Sequence, residues 1–429
     1  MKKSKFIKST IILLIGGFIT KLLGMLIKII MTRLLGTKGI GTYMLISPTF
    51  TLLIGLSSMG LPIAISKLVA EDKRNNKNLI FSNIPLILII DFIIMITLLF
   101  ISKFISTNLL NEPKTYYALI AIGMVLPFIS ISSTLRGYFF GKEKMIPHVV
   151  SNIIEDLIRL IILSIGIPYF LKKGLEYAMA FIVLSNIISE LTSILVLFFF
   201  LPKNFKITKK DIKPNLDSIK LAMNIGIPTT GSRLIGSIGY FLEPIILTYS
   251  LLKIGFTNDY IITEYGIING YIMPLLLLPS FFTSAISQAL IPTISHSYSN
   301  GHINYTKTKI KQAIFISLLI GFPITLFFEL FPNIPLKLIY NTTEGINYLR
   351  VLAPICLLFY IQSPVTSSLQ AMSKAKEAMF GTLEGMILRT TTLLIGSLLF
   401  GIWGLILATS INIIFVTLHQ IYHIKKALN

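Results

Sequence analysis

The chain has 429 residues, is 54% hydrophobic and only 13% charged, and has a mean hydropathy of +0.80. This apolar content excludes a soluble globular protein, and recurring apolar runs of about 20 residues predict a polytopic α-helical membrane protein. The formal net charge of +20 raises the question of nucleic acid, but the lysines and arginines fall mainly in short loops between apolar runs, where they set membrane orientation. We therefore expect no nucleic-acid partner.

The apolar runs, taken in chain order, predict about 12 transmembrane helices. We place them near 9–33, 40–66, 79–102, 116–139, 146–170, 176–201, 219–251, 262–294, 310–331, 347–371, 378–400 and 402–423. The opening stretch MKKSKFIKSTIILLIGGF is similar to a signal peptide, but its apolar run continues past any cleavage site, so we interpret it as the first helix. With both termini cytoplasmic, most of the loop lysines and arginines lie inside, as the orientation rule requires.

The helices are predicted to form two six-helix lobes. The long basic stretch LPKNFKITKKDIKPNLDSIK falls at mid-chain, so we assign an N-terminal lobe to 1–201, a cytoplasmic linker to 202–218 and a C-terminal lobe to 219–429. Short strings recur in both lobes in one order: KLLG and RLIG, GIGTYMLISP and GIINGYIMP, LPIAIS and IPTIS. Since six helices return the chain to the same side, the repeat is parallel with a pseudo-twofold axis along the membrane normal, and a substrate site is expected between the lobes.

The first helix carries two lysines at a depth that lipid does not favour. Lys21 lies near its middle, and Lys28 lies two turns later on the same face. Each central charge costs about 2.5–3.5 kcal/mol, so two on a lipid-facing helix would cost roughly 5–7 kcal/mol. We predict that they face a wet cavity. Arg233 occupies the matching place in the second half, so the cavity would suit an anion such as pyrophosphate.

The remaining charges inside the helices have simpler interpretations. Four cations lie near helix ends, where long side chains reach the interface: Lys67, Arg136, Lys220 and Arg350. Arg159 follows Glu155 by one turn, which predicts a structural ion pair, and Arg389 lies near Glu384 on the eleventh helix. For the cations of the cavity, pairing between helices is the alternative to ligand binding.

Three deep acids have no obvious partner on their own helix. Glu243 lies farther along the helix that carries Arg233 and is predicted to offset one cavity cation. Asp91 is a second candidate cavity acid, and we assign both residues a candidate role in ion coupling. Glu190 is the third of these acids. Prolines and glycines of the second and eighth helices are candidate bending points.

The sequence predicts neither an enzyme nor a metal site. It contains no His-rich metal spacing, Walker loop or nucleophile elbow, so no cofactor is expected, while coupling to membrane potential, Na+ or H+ stays open. The single cysteine, Cys356, excludes an intrachain disulfide and is predicted to be a small core residue. Gly137 with Gly141, and Gly381 with Gly385, have a spacing typical of close helix packing. We expect a monomer.

Four stretches together resemble the multidrug/oligosaccharidyl-lipid/polysaccharide (MOP) exporter superfamily, most of all its stage V sporulation protein B and polysaccharide-exporter branch, and more distantly the lipid II flippases. They are KLLGMLIKIIMTRLLGTKGIGTYMLISP at 21–48, GLPIAISKLVAE at 60–71, LRGYFFGKEKMIPHVVSNIIEDLIR at 135–159 and YGIINGYIMPLLLLPSFFTSAISQALIPTIS at 265–295. The third is the most specific, because its Arg, Gly, Tyr, Pro, Glu and Arg recur in the family at this spacing. The resemblance extends over nearly the whole chain.

The resemblance implies a V-shaped fold with two six-helix lobes around a cationic cavity. In the lipid II flippase branch, arginines in the first, second and eighth helices are required. Lys21 matches the first, Lys67 lies within about one residue of the second, and the third falls near Pro274, where the charge is missing. Lys67 therefore joins Lys21, Lys28 and Arg233 in the expected pyrophosphate-binding cavity, with Arg233 as a functional replacement for the third arginine.

The function implied is a flippase in the bacterial cytoplasmic membrane. It would move an undecaprenyl-pyrophosphate-linked saccharide, either a peptidoglycan precursor or a related envelope oligosaccharide, by alternating access. Its partners would be this lipid-linked saccharide and the membrane lipids, and its role could lie in sporulation or in vegetative wall growth. The alternative is a multidrug or cation antiporter of the same superfamily. The acid-free, doubly cationic first helix disfavours it, whereas Glu243 and Asp91 keep it open.

Overall fold

The computed structural model describes residues 2–71, 75–202 and 214–428. Within these ranges the chain is helical and contains no β-strand, as predicted. We number the α-helices in chain order. They are α1 (Lys2–Ser58), α2 (Leu61–Ala70), α3 (Asn76–Phe81), α4 (Ile84–Phe104), α5 (Tyr116–Gly141), α6 (Met145–Leu171), α7 (Leu175–Phe199), α8 (Leu216–Lys253), α9 (Asn258–Gly266), α10 (Met273–Leu276), α11 (Ser280–Ser299), α12 (Ile303–Leu330), α13 (Asn333–Tyr340), α14 (Ile346–Ala371), α15 (Ala375–Phe400) and α16 (Trp403–Leu428). Most of the predicted basic linker, 202–218, lies outside the described residues.

Among the described residues, nine helices are long and apolar enough to cross a bilayer, or ten if the bent pair 258–276 and 280–287 counts as one. One of the nine spans Ile15–Ala70, a stretch of 56 residues. At 1.5 Å per residue it would reach roughly 84 Å, far beyond a hydrocarbon core of about 30 Å, so it has the length of two crossings. Helix α6, with 27 residues, falls outside the nine because Glu155, Asp156 and Arg159 make it more charged. The helices therefore match the predicted set of about twelve.

Glycines and prolines mark the breaks in the second and eighth predicted helices. The two crossings in α1 meet at Gly36, whose backbone is non-helical with φ 67°. The second crossing is interrupted again at Met59 and Gly60, before α2. The eighth predicted helix is divided by a π-helical stretch at Ile267–Ile272 and bends by 51° before Ser280, just after Pro279. The bends lie in the two helices where bending was predicted.

The chain divides into two compact units, Met1–Phe241 and Leu242–Asn429, which we call unit 1 and unit 2. The division falls inside α8, so Arg233 belongs to unit 1 although the repeat pattern assigned it to the second lobe. Unit 1 has a core beneath α2 that includes Leu61, Ile65 and Phe139. Unit 2 has a core that includes Ile294, Val365 and Leu369. Cys356 is fully buried, as predicted.

The predicted small-residue pairs lie at close helix crossings. A Cβ on Gly137 would be 2.6 Å from the carbonyl oxygen of Pro62, and one on Gly141 would be 2.5 Å from that of Ser66, so α5 touches the backbone of α2. A Cβ on Gly385 would lie 2.3 Å from the side chain of Val416, which places α15 directly against α16. Their role in helix packing is confirmed.

Candidate functional site

Helix α1 carries two of the four predicted anion-binding cations. Lys21 is exposed and Lys28 is half-buried, and the chain has no acidic residue before Glu71. The N-terminal part of α1 packs on α6, because a Cβ on Gly16 would lie only 2.3 Å from the side chain of Val149. The ammonium groups of α1 therefore belong to a strongly cationic segment that supplies no carboxylate of its own.

The other two predicted cations lie on α2 and α8 of the same unit. Lys67 is exposed in the last turn of α2, and Arg233 is exposed on α8. Helix α8 approaches the second half of α1: a Cβ on Gly55 would lie 3.7 Å from the side chain of Leu234, the residue after Arg233. The four predicted cations are thus distributed over three helices of unit 1, and each side chain is at least partly accessible.

A buried ionic network joins α5, α6 and α7. Arg159 donates a hydrogen bond of 2.6 Å to Oε1 of Glu155, the contact that their spacing predicted. Arg136 donates to the other carboxylate oxygen of Glu155 and lies 3.5 Å from Oε2 of Glu190. The interpretation of Arg136 as a cation that reaches the interface is wrong, because this side chain is drawn into the interior by two carboxylates.

Serines satisfy further polar atoms of this network, whereas Nε of Arg136 has no hydrogen-bond partner among the described residues. Arg136 donates to Ser193 at 2.8 Å, and Ser132 donates to Glu190. Arg159 also donates to Ser189 at 3.3 Å. Buried carboxylates and guanidinium groups that satisfy one another in this way fix three helices together, and breaking such a pair costs several kcal/mol. The sequence of α7 alone could not predict the partner of Glu190, because that partner, Arg136, lies on α5.

Asp91, one of the two candidate coupling acids, is buried and has a hydroxyl group rather than a cation as its partner among the described residues. It is fully buried on α4 and accepts a hydrogen bond from Ser57 of α1. Its second oxygen, Oδ2, makes no hydrogen bond, and among the described residues no lysine or arginine contacts it. A carboxyl group held by hydroxyls rather than by a cation is costly to keep charged inside a membrane protein.

Glu243, the other candidate coupling acid, is held by partners within its own unit. It is buried in unit 2, forms an ion pair with Arg389 of α15 and accepts a hydrogen bond of 3.0 Å from the hydroxyl of Tyr265. Arg389 was expected near Glu384, but Glu384 lies instead 3.7 Å from His419. The reason is geometric: residues separated by five positions point to different faces of a helix, whereas α8 presents Glu243 directly to Arg389.

Within the described residues, no group of three or more His, Cys, Asp or Glu side chains is arranged to hold a metal ion. What these residues offer chemically is charge: cations on α1, α2 and α8, acids on α6 and α7 that are paired with arginines, and the carboxyl group of Asp91.

Residues 6–298 match the sequence model described as polysaccharide biosynthesis protein, which covers more than half of the chain. The chain belongs to the polysaccharide biosynthesis protein family. A second match, to the MatE family, covers residues 267–395. Both families and the relatives below belong to the MOP exporter superfamily, whose members are membrane transporters rather than enzymes.

Relatives match along essentially the full chain. Stage V sporulation protein B of Bacillus subtilis is 34% identical over 100% of this chain and 85% of its own length. Lipid II flippase MurJ of the same organism is 22% identical over 99% of this chain and 83% of its own. Among solved structures, an inward-facing multidrug resistance MATE family transporter superposes with a TM-score of 0.77 at 16% identity, covering 95% of each chain, which shows a shared fold. The chain is a multi-pass membrane transporter of this superfamily.

Proposed function

We propose that this protein is a flippase for a saccharide linked to undecaprenyl pyrophosphate, and that it moves this lipid across the bacterial cytoplasmic membrane by alternating access. The cationic, acid-free helix α1 carries the proposal, in a chain 34% identical to stage V sporulation protein B over its full length. The saccharide would be a peptidoglycan precursor or a related envelope oligosaccharide. The similarity to lipid II flippase MurJ, whose name specifies a lipid-linked substrate, supports the same substrate class.

Lys21, Lys28, Lys67 and Arg233 would hold the pyrophosphate by charge. Ammonium and guanidinium groups form short, charge-assisted hydrogen bonds to phosphate oxygens, and Arg can bind two oxygens at once. The anion would also offset the insertion cost of these cations, about 2.5–3.5 kcal/mol for each central charge. A ligand of opposite charge thus gives these cations a role in binding.

Coupling would use Asp91 and a proton. Its carboxyl group is fully buried, is hydrogen-bonded by Ser57 and has no contacting cation among the described residues. Membrane potential would favour the movement of the anionic substrate outward. In this proposal both termini are cytoplasmic, no cofactor takes part and the protein acts as a monomer.

The multidrug antiporter remains the second candidate, favoured by the MatE match and by the fold shared with MATE transporters. An organic cation would need carboxylates that are available to it. Glu155, Glu190 and Glu243 are all engaged with arginines, which weighs against this candidate.

The test is flipping of a fluorescent undecaprenyl-pyrophosphate disaccharide by the purified protein in proteoliposomes. We expect Lys21→Gln and Arg233→Gln each to slow flipping at least tenfold while membrane abundance stays at or above the wild-type level, because removing a charge also removes an insertion cost. Lys21→Arg should keep partial activity, and Lys28→Gln should show a milder loss. Lys172→Gln, at an exposed lysine of the same unit, is the matched control. Wild-type flipping by a folded Lys21→Gln/Arg233→Gln double variant would overturn the proposal.

A further inference from the structure

Unit 2 contains a large polar cavity. It has a volume of about 550 Å³ and lies where the start of α14, the end of α9 and the start of α16 meet. Its lining includes Thr263, Glu264, Thr343, Asn347, Tyr348 and Trp403. In the proposed topology this end of the helices lies on the outer side of the membrane.

A tight turn holds the rim of the cavity in place. Gly345 has φ 83°, a conformation that favours glycine, and a Cβ there would lie 2.6 Å from the side chain of Ile267. The loop before α14 is therefore pressed against the wall of the cavity. Thr343, Glu344 and Asn347 remain exposed at this rim, so their polar groups are accessible to a ligand.

The floor combines an aromatic pair with a carboxylate. The rings of Tyr348 and Trp403 meet edge to face, with their centroids 4.9 Å apart. The hydroxyl of Tyr348 donates a hydrogen bond of 2.6 Å to Oε2 of Glu264. Tyr348 is buried, whereas Trp403 is 39% exposed. The cavity thus presents a partly exposed indole, and beside it lies a carboxylate that already accepts a hydrogen bond from a hydroxyl group.

We propose that this cavity is a saccharide-binding subsite, which takes the sugar headgroup on the outer side of the membrane; this inference rests on the proposed flippase function. A pyranose ring has an apolar C–H face that packs on an aromatic ring and hydroxyls around its edge that need acceptors and donors. Trp403 supplies the ring, Glu264 supplies acceptors, and Asn347 with the two threonines supplies both donors and acceptors. The volume lies in the range of small-molecule sites and accommodates about two sugar units.

The charge of the cavity distinguishes the two parts of the substrate. The cations of unit 1 suit a pyrophosphate, whereas this cavity contains two carboxylates, Glu264 and Glu344, and would repel a phosphate. The cavity therefore suits the uncharged sugar and not the phosphate. Binding at this end would help to retain the headgroup after it has crossed.

Trp403 makes a direct measurement available, since it is the only tryptophan of the chain. The purified protein in detergent would be titrated with diacetylchitobiose, an uncharged amino-sugar disaccharide, with maltose as a second probe, while tryptophan fluorescence is recorded. We expect a saturable change with at least one of the two, because a sugar stacked on the indole excludes water from it. The measurement does not involve flipping, so failure here and failure of the proposed function are distinguishable.

Variants of the polar lining test the assignment. Asn347→Ala and Glu264→Gln should each weaken saccharide binding at least tenfold. Because Asn347 is exposed, we expect Asn347→Ala to leave the fold intact. Glu377→Gln, which removes a carboxylate outside the cavity, should bind as the wild type does. The proposal is overturned if neither disaccharide changes the fluorescence at 50 mM or if both lining variants bind normally. It is equally overturned if tetraphenylphosphonium, an organic cation, saturates the site while both sugars fail.

Discussion

At the scale of single residues, the buried glutamates of the α-helices depend on partners from other helices. Glu155 and Glu190 share Arg136, and Glu243 is held by Arg389 and Tyr265. A carboxylate in the interior is costly unless it is paired and hydrogen-bonded, and removing one partner leaves the other charge uncompensated. These groups are therefore expected to affect folding before they affect transport.

Arg136→Gln should reduce the amount of folded protein. The change leaves Glu155 with one arginine and Glu190 without its guanidinium, and we expect a loss of about 3 kcal/mol, or a thermal unfolding midpoint lower by on the order of 5–10 °C. Adding Glu190→Gln should recover part of the loss, because it removes the stranded charge. Arg350→Gln, at an exposed arginine, is the control for the loss of a positive charge. Unchanged unfolding of Arg136→Gln in detergent would contradict a stabilising network.

Glu243→Gln should behave as a stability variant and not as a transport variant. Its partner Arg389 would remain mostly buried without its carboxylate, at a cost of about 3–5 kcal/mol. The double variant Glu243→Gln/Arg389→Gln should be more stable than the single one and should still flip lipid-linked saccharide. Glu384→Gln, whose side chain is 51% exposed, is the control. If the single variant is folded normally and only transport is lost, Glu243 has a role in the transport cycle.

At the scale of helices, backbone contacts decide where an element breaks. Gly60 separates α1 from α2 with φ +63°, and a Cβ there would lie 2.5 Å from the carbonyl oxygen of Gly226 on α8. Conversely, a Cβ on Gly226 would lie 2.3 Å from the carbonyl oxygen of Met59. Both glycines are needed for this crossing, and it joins the break in the second predicted helix to the helix that carries Arg233.

Gly60→Ala should therefore be strongly destabilising. The new methyl group meets a backbone oxygen that cannot rotate away, and alanine also disfavours the positive φ, so we expect a cost of about 2–4 kcal/mol. Gly17→Ala on α1, where a Cβ meets nothing within 4 Å, should be neutral or slightly stabilising. Thermal unfolding of both variants in detergent is the measurement. Equal midpoints would show that the crossing tolerates a side chain.

At the scale of the whole molecule, the helices were accessible from the sequence and most of the pairings between them were not. Apolar runs of bilayer length need no tertiary information, and the pair Glu155–Arg159 follows from a spacing of one turn. Glu243 with Arg389, and Arg136 with Glu190, are far apart along the chain, so only the packing of helices determines them. The same holds for the cavity beside Trp403, whose lining comes from three separate segments.

The orientation of the whole chain in the membrane is predicted from loop charge alone, and single cysteines test it. In a Cys356→Ala background, Lys38→Cys, Lys173→Cys and Thr257→Cys should react with an impermeant thiol reagent applied to intact cells. Asn75→Cys, Lys210→Cys and Tyr305→Cys should react only after permeabilisation, because basic loops stay on the cytoplasmic side. External labelling of Lys210→Cys would place the basic linker outside and invert the proposed direction of export. If the stretch Ile15–Ala70 crosses only once, Asn75→Cys should label from outside and every later position should label with the opposite pattern, so that Lys173→Cys and Thr257→Cys are protected.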